Sequence, residues 1–267
     1  MKGHIYWSNF TTGTIGRADV NGLNATQNLV TGASNPAGMA AGPSSIYWTN
    51  NGANSIGRAG LNGRDVDQSF ITGVSGPRGV AVDARYIYWT SGGSNTIGRA
   101  GLEGQGVNHS FIVGTVGPFG VAVDAHNIYW ANAGSNTIGR ADINGQGVDQ
   151  SFIAGVSGPR GVAVDAHHIY WANSATNTIG RAGLDGQDIN QNFIVGASGP
   201  ANVAVDAHNI YWANAGSNTI GRADINGQGV DQSFIAGASS PRGVAVNPSK
   251  GPCREGRRAE LTCDGTP

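Results

Sequence analysis

One tripeptide, Ile-Tyr-Trp, sets the terms for everything else in this chain. It occurs at Ile5, Ile46, Ile87, Ile128, Ile169 and Ile210, spaced by 41 residues each time, and it holds all six tryptophans of the protein. Self-similarity at a fixed period marks a repeat architecture, because one unit cannot bury its apolar face alone and must stack on its neighbours. A period of this length carrying four short strands is that of a propeller blade, whereas leucine-rich repeats run about 20–29 residues.

Each unit reads as four strands. The first is Gly-Val-Ala-Val-Asp, as at Gly79 to Asp83, and the second is built on Ile-Tyr-Trp. The third is Thr-Ile-Gly-Arg-Ala, as at Thr137 to Ala141, and the fourth Ser-Phe-Ile, as at Ser151 to Ile153. β-Branched and aromatic runs bounded by Asn-Gly, Asp-Gly and Glu-Gly turns are strand and hairpin signals, and no window sustains a helical period. The pattern starts at a second strand, Ile5-Tyr6-Trp7, and its regular part ends at a first strand, Gly243 to Asn247. In an open stack this phase leaves unpaired edges at both ends, an aggregation hazard. In a ring the last first-strand completes the first unit. The expected fold is therefore all-β: a closed six-bladed β-propeller of four antiparallel strands per blade, spanning residues 1–248. Residues 249–267 fall outside the pattern and are expected to be a disordered tail or linker; they hold both cysteines, Cys253 and Cys263.

Composition excludes several partners. Only 12% of residues are charged and the formal net charge is −1, so there is no electrostatic footprint for nucleic acid and no polybasic run for an anionic membrane. No apolar stretch is long enough to span a bilayer, and the start lacks the apolar core of a signal peptide. A monomer is expected.

Residues present in every blade rarely make one site. The third-strand arginines, Arg17, Arg58, Arg99, Arg140, Arg181 and Arg222, are expected to pack their stems on aromatics and donate to carbonyls or carboxylates. Positions that differ between blades are more informative. Between the Pro and Gly that open the first strand stand Ala37, Arg78, Phe119, Arg160, Ala201 and Arg242. The arginines are 82 residues apart and so occupy alternate blades, on the connection that leads to the innermost strand. Arg78, Arg160 and Arg242 are thus expected to gather around one mouth of the central channel with Phe119 between two of them. Guanidiniums placed so can hold a carboxylate, a phosphate or an acidic loop.

Two other patterns read as turns. Asp124/His126, Asp165/His167 and Asp206/His208 follow the first strand, and their aspartates are expected to cap the turn rather than to bind a metal. Asp142 to Asp149, repeated at Asp224 to Asp231, has a superficial calcium-loop look, but Ile153 stands where the bidentate glutamate belongs. No cofactor is expected.

The strings Pro-x-Gly-Val-Ala-Val-Asp, Ile-Tyr-Trp-Thr and Ile-Gly-Arg-Ala-x-Leu-x-Gly resemble the YWTD repeats of the low-density-lipoprotein-receptor family, over about residues 4–247. The near-identical units resemble a bacterial relative. The resemblance implies a six-bladed, extracellular or secreted propeller that binds protein partners on one face near the axis. The chain departs from the family tetrapeptide at its aspartate, which is here Asn9, Asn50, Ser91, Asn132, Asn173 and Asn214. The function expected is non-enzymatic binding of a protein or small anionic ligand, with an exposed aromatic patch near Phe119 or Phe10. The alternative is a metal-dependent propeller enzyme, a lactonase or one similar to virginiamycin B lyase. Glutamate is nearly absent from the ring, and near-identity between blades leaves little room for a convergent acid–base site.

Overall fold

The computed structural model describes residues 3–247, together with two short strands, Arg254–Glu255 and Leu261–Thr262. Cys253, Cys263 and the expected tail otherwise lie outside the described residues. From residue 3 to 247 the chain forms six four-stranded antiparallel sheets, without a helix among the described residues. Five are contiguous: blade 2 (Pro36–Ile71), blade 3 (Pro77–Val113), blade 4 (Pro118–Ala154), blade 5 (Pro159–Val195) and blade 6 (Pro200–Ile235). Blade 1 is composite. Its inner strand Pro241–Asn247 pairs antiparallel with His4–Asn9, with Ile5 opposite Val246 and Trp7 opposite Val244. Thr14–Asp19 and Thr26–Val30 complete it. The ring is closed, by pairing between the two ends of the repeat array.

The core lies between blades. Tyr and Trp are adjacent in the second strand and so point to opposite faces of the sheet. Both are buried because both faces are covered. Trp7 packs in one cluster with Tyr211 and Ile220 of blade 6, while Tyr6 packs in another with Trp48 and Ile46 of blade 2. The same pairing recurs at each of the six blade interfaces. Glycine in the middle of the third strand follows from this: a Cβ on Gly139 would run into the indole of Trp130, and the equivalent glycines face their own tryptophans in the same way.

A polar network ties down the tryptophan of every blade but the third. In blade 5, Trp171 Nε1 donates to Gln191 Oε1 at 3.2 Å. Asn173 donates to the Gln191 backbone carbonyl at 3.1 Å and accepts from the Ser157 amide at 3.0 Å. Gln191 Nε2 reaches back to the carbonyl of Gly155, just after the last strand of blade 4. The departure from aspartate thus has a physical cause: the position must donate as well as accept, which a carboxylate cannot do. In blade 1, Gln27 Nε2 donates across the closure to the Ala236 carbonyl at 3.2 Å.

Blade 3 breaks the pattern twice, with Ser91 for Asn and His109 for Gln. The His109 ring lies 5.7 Å from that of Trp89, and the buried Trp89 Nε1 has no hydrogen-bond partner. An unsatisfied buried donor costs about 1–3 kcal/mol. Ser91→Asn/His109→Gln is therefore expected to raise unfolding free energy by about 1–3 kcal/mol, read from urea denaturation monitored by tryptophan fluorescence. Unchanged stability would show that the network adds nothing to the fold.

Candidate functional site

Up-and-down strand order sends the connections into the inner strands, and the loops after the second strands, to one end of the ring. The turns after the first and third strands lie at the other. All three alternate-blade arginines sit at the first end. Arg78, Phe119, Arg160 and Arg242 line a single cavity of about 230 Å³, completed by Phe10, Ala37, Asn51, Gly120, Ala201 and Asn202. Below it the channel continues between the inner strands as a cavity of about 200 Å³ lined by residues such as Val80, Val121, Val162 and Val203.

Each arginine is held by an aromatic or by close backbone. The guanidinium carbon of Arg78 is 4.0 Å from the centre of the Phe119 ring, and that of Arg160 is 5.5 Å from the same ring. Arg242 lies 4.2 Å over Phe10, from the loop of its own blade. Arg78 also lies across Gly92, where an added Cβ would meet Nε at 2.7 Å. The backbone under these side chains is pinned as well. Thr49 donates to the carbonyl of Arg78 at 3.1 Å, Thr90 to that of Phe119, and Asn51 Nδ2 to that of Pro77 at 3.0 Å.

Electrostatically the cavity is one-sided. None of its lining residues is acidic, and none of the three arginines is in an ion pair among the described residues. Partial burial, and then the nearby Arg160 charge, hold the guanidiniums of Arg78 and Arg242 below the ordinary arginine value. They remain charged at neutral pH. Arg242 Nε is buried and has no hydrogen-bond partner. Three like charges with unspent donors around one small space favour an anion there.

The remaining sequence candidates fall elsewhere. Five of the six third-strand arginines stack on Phe of their own blades, as Arg140 does on Phe152 at 4.0 Å, and Arg58 also donates to Glu103 at 2.8 Å; Arg17, whose blade has Leu29 in place of Phe, donates to the Leu61 carbonyl at 3.4 Å. Asp124 accepts from the amides of His126 and Asn127 and from the Tyr129 hydroxyl, so it caps a turn at the opposite end of the ring. Burial and that carboxylate together raise the Tyr129 hydroxyl far above its usual pKa. The segments Asp142 to Asp149 and Asp224 to Asp231 are hairpin turns leading into outer strands. The double period of the arginines does not point to Gly92, Asn51 or Asn202, though each is a visible departure from its equivalents in other blades.

Known structures of similar shape are propellers of several kinds. A chain of a nidogen/laminin complex superposes with a TM-score of 0.79 at 22% identity, covering 91% of this chain and 98% of that one. Virginiamycin B lyase from Staphylococcus aureus gives 0.65 at 20% identity, covering 91% and 84%. A gluconolactonase from Xanthomonas campestris gives 0.61 at 19% identity, covering 76% and 77%. At these identities the likeness establishes the fold alone. No curated protein matches the sequence. The family model described as the virginiamycin B lyase family matches residues 2–251, the whole of the ring, and on that match the chain belongs to the virginiamycin B lyase family.

Proposed function

We propose that this protein is a binding propeller whose arginine-rimmed mouth takes a small anionic ligand, a carboxylate or phosphate group. The observation that carries the reading is the convergence of Arg78, Arg160 and Arg242 on one cavity that holds no acid. The neighbour of similar fold comes from a nidogen/laminin complex, and the YWTD likeness of a bacterial-type relative supports a binding role at the channel face. Isothermal titration of sulfate, citrate and an acidic peptide at low salt tests it. Losing charge-assisted hydrogen bonds worth about 1.5–3 kcal/mol each, Arg78→Ala/Arg160→Ala/Arg242→Ala should bind at least about tenfold more weakly. The thermal transition should be unchanged, since the variant also removes mutual repulsion. Binding that is equal in the two proteins, or absent from both, contradicts the reading. The peptide arm separates a free anion from an acidic partner segment.

The family match favours a second reading, a lyase. A histidine-to-alanine variant of the S. aureus enzyme, crystallised with quinupristin, is catalytically inactive. The six histidines of this chain do not line the arginine cavity: His4, His126, His167, His168 and His208 are in or beside the turns at the opposite end, and His109 is on an outer strand. Nor does that lining offer a carboxylate as general base. This arrangement supports binding over elimination. Chromatography of quinupristin incubated with the protein decides between them, a new product favouring the lyase.

A further inference from the structure

One residue makes the channel asymmetric where neighbouring inner strands touch. In five blades the position after the mouth residue is glycine: Gly38, Gly79, Gly120, Gly161 and Gly243. A Cβ on any of these would strike the inner strand of the next blade, as Gly120 would strike the Arg160 carbonyl at 2.6 Å. These glycines form the ring at which neighbouring inner strands touch. Blade 6 carries Asn202 there instead.

The strand accommodates asparagine by turning. In blade 3, Arg78 is half-buried and the following Gly79 is buried; in blade 6, Ala201 is buried and Asn202 half-buried. Pairing shifts with it: Asn202 pairs with Ala213, whereas in blade 5 the register passes from Pro159 directly to Val162. The result is that Asn202 faces the axis and lines both the mouth cavity and the channel beneath it. Its carboxamide makes no hydrogen bond with the described residues, although it carries two donors and an acceptor. It stands on the blade between those of Arg160 and Arg242.

Resting on the anion-binding reading, we infer that Asn202 determines specificity at the mouth, reading a hydroxyl on a hydroxy-polycarboxylate whose carboxylates are held by Arg78, Arg160 and Arg242. Three arginines on alternate blades suit a ligand with up to three carboxylates, and the cavity of about 230 Å³ has room for a small molecule rather than a single water. A carboxamide adds no charge, so it discriminates between equally charged anions by hydrogen bonding. A site built to pair a hydroxyl disfavours the analogue lacking it, because its own polar group is then left unpaired.

Citrate and propane-1,2,3-tricarboxylate differ in that hydroxyl and carry the same carboxylates. Wild type is expected to bind citrate about tenfold more tightly. Asn202→Gly restores the residue of the other five blades; it should abolish the difference in affinity between the two anions. A wild-type protein that binds both anions equally, or an Asn202→Gly variant that keeps the preference, overturns the role of Asn202 and leaves the arginine site standing. If neither anion binds wild type, both the role and the anion-binding reading fall.

Discussion

A chain from which everything up to and including Asn9 has been removed is expected not to fold to a stable monomer. His4–Asn9 is the strand that joins Pro241–Asn247 to Thr14–Asp19. Its loss removes Tyr6 and Trp7, fully buried in the interfaces on the two sides of blade 1. Truncating one large buried aromatic already costs about 3–5 kcal/mol. Losing two, with the backbone pairing between them, reaches the whole stability of a typical domain, about 5–15 kcal/mol. Far-UV circular dichroism and size-exclusion chromatography read the result. A monomer with an unchanged melting temperature would mean that closure contributes nothing.

The second large effect comes from a methyl group. Gly139→Ala is expected to destabilise the protein by about 3 kcal/mol, because its Cβ would occupy space already filled by the Trp130 indole. Both groups lie in a fully packed interface, so relief requires moving the ring or the strand. Gly42→Ala is the control: there an added Cβ meets its nearest neighbours at 3.6 Å, an ordinary contact. Comparable midpoints for the two variants in guanidinium chloride would contradict the packing account.

These two sites also show where reading the sequence succeeds and where it stops. The 41-residue period carried strand number, closure and the Tyr-Trp core, because burial on both faces of every sheet repeats whatever makes it possible. Arg78, Arg160 and Arg242 were legible from their double period, since alternate blades of a ring must return to one axis. The Asn–Gln network was not. Gln27, Gln68, Gln150, Gln191 and Gln232 recur on the same period, but a polar residue on an outer strand looks solvent-facing until the tryptophan below it is placed. Phe10 was visible as an aromatic, and its stacking with Arg242 follows only when Pro241–Asn247 is set beside the first loop. Asn202 is a single departure within an otherwise uniform motif. Its meaning depends on how the strand turns to keep asparagine out of blade 1, which spacing alone does not encode.

The arginine mouth is the claim on which the functional account rests, and diffraction from crystals soaked in selenate tests it most directly. Selenate is a sulfate-like dianion whose heavy atom reports its own position by anomalous scattering. A peak is expected in the cavity lined by Arg78, Arg160 and Arg242, within hydrogen-bond reach of their guanidiniums. An empty mouth, with selenate found only at other surfaces of the ring, would contradict it.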